Sequence, residues 1–130
     1  MKNLHVFVFA ALLFPVFASC GSSNPSFPMN HIAIRGGNGA QLTNPVTLIK
    51  GTYFTFEAVF YNAKNEVMTV PHPENITWTT GSNTWFITPS SGTYTVRLSV
   101  PTSDPTATSF IQVEYENLPI TSLKLDIKDP

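Results

Sequence analysis

Cys20 is the only cysteine in the chain, and its thiolate form is a nucleophile. It follows two small residues, Ala18 and Ser19, and precedes Gly21. A lone cysteine cannot form an intrachain disulfide, and in an exported protein it is a reactive liability unless it is modified. Covalent modification of the sulfur is therefore the chemistry that suits this position.

The segment before Cys20 has the features of an export signal. Lys2 supplies a positive charge, and residues 4–17 form an apolar run that only His5 interrupts. As a helix this run would cover about 21 Å, whereas the hydrocarbon core of a bilayer is about 30 Å thick. The run therefore has the length of the apolar region of a signal peptide rather than that of a permanent membrane span.

The end of the export segment resembles the lipobox of bacterial lipoproteins, in which an aliphatic residue and two small residues precede the modified cysteine. Ala18, Ser19 and Cys20 match this pattern, and Phe17 stands where Leu is usual. The resemblance implies a diacylglyceryl thioether on Cys20, an acylated amino terminus that carries a chain such as palmitate, and membrane lipid as a partner. The residue after Cys20 is Gly21 and not Asp, and in this the sequence resembles lipoproteins of the outer membrane or cell surface. An ordinary secretory signal is the alternative.

The other reactive side chains form no catalytic or metal-binding pattern. His31 and His72 are far apart and lack ligand spacing, the carboxylates are scattered, and Ser90 and Ser91 are not part of a nucleophile elbow. The net charge of −1 is too weak for an electrostatic nucleic-acid surface. We therefore expect no enzyme activity, no cofactor, no metal site and no nucleic-acid partner.

Trp85 and Phe86 are the candidate ligand-binding residues of the mature chain. Adjacent residues of a strand face opposite sides of the sheet, so one of the two rings is predicted to be exposed. With Tyr53 or Tyr61 the exposed ring could form a flat platform for a sugar ring or a partner loop. The alternative is packing against a neighbouring sheet, because large aromatic side chains mostly supply core area.

Alternating apolar and polar residues predict strands throughout the mature chain. The pattern is clearest in residues 52–61, where every second residue is apolar and is predicted to face the core: Phe54, Phe56, Ala58 and Phe60. Segments with the same period, separated by turns rich in Gly, Pro, Asn and Ser, are 31–35, 46–49, 76–80, 85–88, 92–100 and 109–115. About seven short strands of this kind predict an all-β sandwich.

Two motifs resemble those of immunoglobulin-like (Ig-like) domains. Trp78 lies on a predicted central strand, like the core Trp of these domains, and residues 90–96 (SSGTYTV) resemble their tyrosine corner without the usual cysteine pair. Residues 32–34, Gly51 and Trp78 are together similar to bacterial Ig-like repeats of the group-2 type. Residues 92–100 are similar to polycystic-kidney-disease-type domains, which are the second choice because the acidic loop usual after the Trp is absent. The resemblance implies a seven-stranded Ig-like β-sandwich.

The tail of the chain repeats the start of the predicted sandwich. Residues 119–125 (PITSLKL) resemble residues 28–34 (PMNHIAI) at an offset of 91 residues. The tail is therefore the first strand of a second, truncated Ig-like repeat, an eighth strand of the same sandwich, or a frayed end. The predicted divisions are a lipoprotein signal peptide at 1–19, a flexible tether at 20–28, an Ig-like sandwich at 29–116, and a linker with a candidate first strand at 117–130.

These features predict a cell-envelope lipoprotein whose Ig-like domain is an adhesion module, with a host or envelope protein or glycan as its partner. Strands would hold the loops in place, and recognition would come from loops at one end of the sandwich, for which the candidates are 36–45, 70–75 and 80–84. The alternative is a passive structural stalk of a truncated multi-domain surface protein whose effector domain is missing. The fold alone does not choose between the two.

Overall fold

The computed structural model describes residues 28–130 of the chain. The predicted signal peptide at 1–19, the lipidation site Cys20 and the tether as far as residue 27 lie outside the described residues. Within the described part the chain forms nine strands and one 3-10 turn, Pro73–Asn75. The strands are β1 (Met29–Gly36), β2 (Val46–Ile49), β3 (Tyr53–Asn62), β4 (Val67–Met68), β5 (Thr77–Thr80), β6 (Phe86–Thr88), β7 (Thr95–Ser99), β8 (Thr108–Glu114) and β9 (Thr121–Lys128).

The strands form two sheets that pack face to face. The first sheet has the order β1-β3-β7-β6, with β4 also paired to β3, and the second has the order β2-β9-β8-β5. The pair β2 and β9 is parallel, and all other pairs are antiparallel. The predicted all-β, Ig-like sandwich is confirmed, with nine strands instead of about seven because β4 and β9 add to the predicted set.

The core lies between the inward faces of the two sheets, as the period-two pattern predicts. On β3, Phe56, Ala58 and Phe60 are buried, while Thr55 and Glu57 on the other face are partly exposed. The buried set from the second sheet includes Trp78, Ile111, Val113, Leu123, Leu125 and Ile127. The alternation gives each sheet one apolar face. Packing the two apolar faces together removes their area from water, and this stabilises the sandwich.

The predicted tyrosine corner is wrong, whereas the predicted core Trp is confirmed. Trp78 is buried on β5, which is an edge strand of the second sheet and not the predicted central one. Its ring N–H donates to the Thr93 carbonyl at 3.1 Å. Tyr94, however, precedes β7, which lies in the first sheet between β3 and β6. A tyrosine corner belongs to the strand that pairs with the Trp-bearing strand, and that strand here is β8. The Tyr94 hydroxyl instead accepts from the Val70 N–H at 2.9 Å, so it joins two loops of the domain.

The predicted domain end at residue 116 is too early. Residues 121–128 form β9, which lies inside the second sheet between β2 and β8. The Thr121 hydroxyl also donates to the Ile32 carbonyl of the first sheet at 2.8 Å. Of the alternatives for the tail, the structure therefore contains the additional strand of the same sandwich. The physical reason is that the apolar face of β9 (Leu123, Leu125 and Ile127) needs a partner sheet, and the two neighbouring strands supply it.

The two ends of the sandwich differ in their relation to the chain termini. We call the end at which β1 begins, with Met29 opposite Asn62, the proximal end. The other end, with Tyr53 and Phe86 both opposite Ser99, is the distal end. Strand β9 runs parallel to β2 and reaches the distal end. Pro28, the first described residue, therefore lies at the proximal end.

Candidate binding surface

A row of three side chains crosses the outer face of the first sheet at its distal end. Tyr53 on β3 and Phe86 on β6 are both register partners of Ser99 on β7. Register partners point to the same face of a sheet, so the two rings flank the small Ser99 side chain at two strand spacings, about 10 Å. Tyr53 and Phe86 are each 67% exposed, an unusual state for two neighbouring aromatic side chains.

The next row adds polar groups to these rings. Arg97 on β7 has Thr55 and Thr88 as its register partners. The Arg97 guanidinium carbon lies 4.3 Å from the centre of the Tyr53 ring, which is cation–π geometry. Tyr53, Phe86, Thr88 and Arg97 line an open groove of about 330 Å³. We call these four residues the distal aromatic surface.

Tyr53 also borders a second depression, of about 510 Å³, on the side away from Phe86. Its other wall is the loop after β1, which includes Asn38 and Leu42. Gly37 holds this loop against β3, because its N–H donates to the Thr55 carbonyl at 2.9 Å and a Cβ at this position would collide with the Thr55 side chain. Tyr53 therefore projects between two grooves rather than lying within a continuous surface.

Trp85 does not belong to this surface, which corrects its place in the predicted ligand-binding set. Trp85 is only 6% exposed, and its ring N–H donates to Asp104 Oδ2 at 3.1 Å. The expectation that one of the two adjacent rings is exposed is met by Phe86. The choice could not be read from the sequence, because either side chain is apolar enough to supply the core.

Asp104 connects the loop before Phe86 to the loop after β7. Its carboxylate accepts hydrogen bonds from the Thr84 hydroxyl, the Trp85 ring and the Thr106 N–H. Hydrogen bonds lower the pKa of the Asp104 carboxyl to about 2, because they stabilise its ionised form. The contribution from Thr106 is the largest, and that from Thr84 is the second largest. This buried carboxylate therefore positions the loop from which Phe86 emerges. The sequence analysis did not single it out, since two of its three partners, Thr84 and Trp85, come from a distant segment of the chain.

Tyr61 lies on the same outer face but far from Phe86. It is eight residues from Tyr53 along β3, a distance of about 26 Å in an extended strand. Its ring stacks on His31 with centroids 5.0 Å apart, and Arg35 Nη2 donates to its hydroxyl at 2.6 Å. With 9% of its area exposed, Tyr61 is mostly covered. Of the two tyrosines considered as partners of the exposed ring, the structure brings only Tyr53 next to Phe86.

The described residues offer no metal centre and no membrane-spanning helix. No group of three or more His, Cys, Asp or Glu side chains in residues 28–130 is placed to hold a metal ion. His72 lies next to Glu74, with Nδ1 3.0 Å from the carboxylate, and His31 is engaged with Tyr61. None of the helical segments in the same range is long and apolar enough to cross a bilayer. The expectation that the protein is not an enzyme stays a prediction.

Comparison with known proteins identifies the fold and no closer relationship. No family model matches the chain, and no curated protein matches it. The solved structures of domains 4 and 5 of the S-layer protein SbsC are similar over 77% of this chain and 52% of theirs, with 13% sequence identity and a TM-score of 0.53. A tandem of titin Ig domains is similar over 78% of this chain and 52% of its own, with 15% identity and a TM-score of 0.42.

The chain thus spans about half the length of these two-domain structures. At this level of identity the likeness to the S-layer protein shows a shared Ig-like architecture and nothing finer. Any function must therefore be argued from the surface of this chain.

Proposed function

We propose that the protein is a lipid-anchored protein of the bacterial cell envelope whose Ig-like sandwich is an adhesion or interaction module. The observation that carries the binding part is the distal aromatic surface, where Tyr53 and Phe86 are largely exposed beside Arg97. Contiguous exposed apolar area on a folded domain often marks an interaction site. Aromatic and arginine side chains are also the types that contribute most to binding interfaces.

The position of this surface suits a protein held at its amino-terminal end. Tether residues 20–28 join the sandwich at the proximal end, where β1 begins. Strand β3 is ten residues long, about 33 Å, and Tyr53 is its first residue at the distal end. An anchor on Cys20 would therefore leave the distal aromatic surface facing away from the membrane. The resemblance of residues 17–20 to a lipobox supports the anchor.

The anchor is tested by producing the full chain and its Cys20→Ser variant in a bacterial host that processes lipoproteins. We expect the unaltered chain in the membrane fraction, with a mass that corresponds to cleavage before Cys20 plus the lipid groups. The Cys20→Ser variant is expected to lose the lipid mass. An unaltered chain that carries no lipid in its native host would contradict the anchor.

The binding role is tested by adhesion of cells that produce the full chain to mucin-coated wells and to purified peptidoglycan sacculi. We expect Phe86→Ala and Tyr53→Ala each to reduce adhesion to one of these probes by about fivefold or more, since these two rings supply the exposed aromatic area of the surface. Ile120→Ala is the matched control, because Ile120 is 57% exposed but lies next to β9 at the proximal end. Adhesion that all three variants preserve would overturn the proposal.

A passive stalk is the second candidate, and one feature of the fold favours it. Because β1 starts at the proximal end and β9 finishes at the distal end, such sandwiches can be joined end to end along one axis. A stalk predicts that the unaltered chain retains cells on neither probe. The adhesion assay therefore separates the two functions.

A further inference from the structure

The charge of Arg97 is not neutralised by any carboxylate of the described chain. Arg97 takes part neither in the Lys50–Asp129 ion pair nor in the His72–Glu74 contact, and no carboxylate of residues 28–130 lies within ion-pair distance of it. Its one interaction is the stacking on the Tyr53 ring. An arginine that stacks by its flat face keeps the edge of the guanidinium free, and this edge is the part that pairs with a carboxylate through two parallel hydrogen bonds.

The size and composition of the surface favour a small polar ligand over a protein. A stable protein interface covers about 800 Å² on each partner and has an apolar centre. Here two separate rings are divided by the hydroxyl of Ser99, and the next row carries the hydroxyls of Thr55 and Thr88. Aromatic faces at about 10 Å separation with hydroxyl groups between them fit a ring that has both apolar C–H faces and polar edges, which is the chemistry of a pyranose.

We propose that the distal aromatic surface binds an acidic saccharide, with a sugar ring against Phe86 or Tyr53 and the sugar carboxylate on the free edge of Arg97. This inference rests on the proposed binding function and names the class of its ligand. The other charged groups on this part of the sheet face are Glu57 and its register partner Arg35, one row beyond Thr55. Glu57 repels the sugar carboxylate and limits the affinity.

The test is calorimetric titration of the purified full chain with oligogalacturonate and with the same oligosaccharide fully methyl-esterified. The ester keeps the rings and removes the carboxylate charge, so we expect it to bind at least about tenfold more weakly. Raising the salt concentration is expected to weaken the binding of the acid and to leave that of the ester nearly unchanged.

Variants separate the two parts of the site. Arg97→Gln is expected to weaken binding of the acid about tenfold and to bring it to the level of the ester, and Arg97→Lys is expected to be intermediate because it keeps the charge and loses the planar edge. Lys124→Gln is the matched control, because it removes the same charge from an exposed position on β9 in the other sheet. It is expected to bind like the unaltered chain. Glu57→Gln is expected to bind the acid a few-fold more tightly, about twofold to fivefold. Thermal denaturation of each variant shows whether it is folded.

The outcomes distinguish this inference from the proposed function. Equal binding of acid and ester that depends on Phe86 but not on Arg97 would overturn the acidic ligand and leave the binding role in place. Phe86-dependent adhesion to mucin or sacculi without any binding of oligogalacturonate would also overturn the acidic saccharide. Tighter binding of the acid, lost in Arg97→Gln and kept in Lys124→Gln, supports it.

Discussion

Tyr53 and Tyr61 are the same residue type on the same face of the same strand, and each has an arginine beside it. Arg97 stacks over Tyr53 with its guanidinium carbon 4.3 Å from the ring centre. Arg35 lies 5.9 Å from the centre of the Tyr61 ring and donates to its hydroxyl at 2.6 Å. Yet Tyr53 is largely exposed and Tyr61 is nearly covered.

The difference lies in the neighbouring strands. Tyr61 is flanked by β1, which places His31 in register with it, and by β4, which places Val67 there. Tyr53 has β7 on one side, and β1 ends before it, at the pairing of Gly36 with Phe56. An outward aromatic ring with a paired strand on each side is therefore covered by cross-strand neighbours and stabilises the fold. A ring at the corner of the sheet stays accessible to a ligand.

The largest effect on stability is expected when each of the two tyrosine side chains is truncated to Ala. Tyr61→Ala should lower the free energy of unfolding by about 3 kcal/mol, because it removes a packed ring and leaves the Arg35 donor without its acceptor. Tyr53→Ala should lower it by about 1 kcal/mol or less, since only an exposed cation–π contact is lost. Urea denaturation followed by tryptophan fluorescence measures both. Equal losses would show that burial does not separate the two sites.

Low pH should destabilise the fold at the distal end, because it protonates Asp104. The pKa of this carboxyl is about 2 in the folded protein and 3.8 ordinarily, so its ionised form stabilises the fold above about pH 4. That contribution is lost as the pH falls from about 4 towards 2, because the unfolded chain takes up the proton first.

Asp104→Asn should therefore be less stable than the unaltered chain at about pH 6, and the difference should shrink as the pH approaches about 2. Asp126→Asn is the matched control for the loss of one negative charge. The measurement is urea denaturation over this pH range. A difference that does not change with pH would mean that the Asp104 hydrogen bonds do not depend on its ionisation.

A smaller effect should follow from removing only the two hydroxyl groups. Tyr61→Phe should cost about 1 kcal/mol of unfolding free energy, because the Arg35 hydrogen bond loses its acceptor. Tyr53→Phe should change stability by less than about 0.5 kcal/mol. Denaturation of the two variants under one condition makes the comparison, and a larger loss for Tyr53→Phe would contradict it.

The smallest effect on stability is expected at Phe86. Because this ring is mostly in water, Phe86→Thr should change the free energy of unfolding by less than about 0.5 kcal/mol. The same change should abolish binding at the distal aromatic surface. A loss of stability comparable to that of Tyr61→Ala would assign Phe86 to the fold instead of to recognition.

Much of the architecture followed from the sequence, and the exceptions have identifiable causes. The alternation in β3 and β8 predicted the buried residues Phe56, Phe60, Ile111 and Val113. A strand whose sheet packs against a second sheet on one face buries every second side chain. The position of β9 did not follow, since an apolar face shows that a strand needs a partner without showing which sheet supplies it. Tyr94 was misassigned because a tyrosine that enters a strand has the same local pattern in either sheet.

The candidate site was predicted only in part. Adjacency alone indicated that Trp85 and Phe86 face opposite sides, but the buried one is chosen by Asp104, which lies nineteen residues from Trp85. Arg97 was not singled out, because nothing near it in the sequence shows that its charge lacks a partner.

The order of residues by itself determined that this chain forms alternating strands around an apolar core, because side chains in a strand project with a period of two. It also placed a lone cysteine after an apolar segment that is predicted to be an export signal. Only the tertiary structure decided which outward rings remain in water. Phe86, Ser99 and Tyr53 are far apart in sequence, and the register of three paired strands is what brings them into one row.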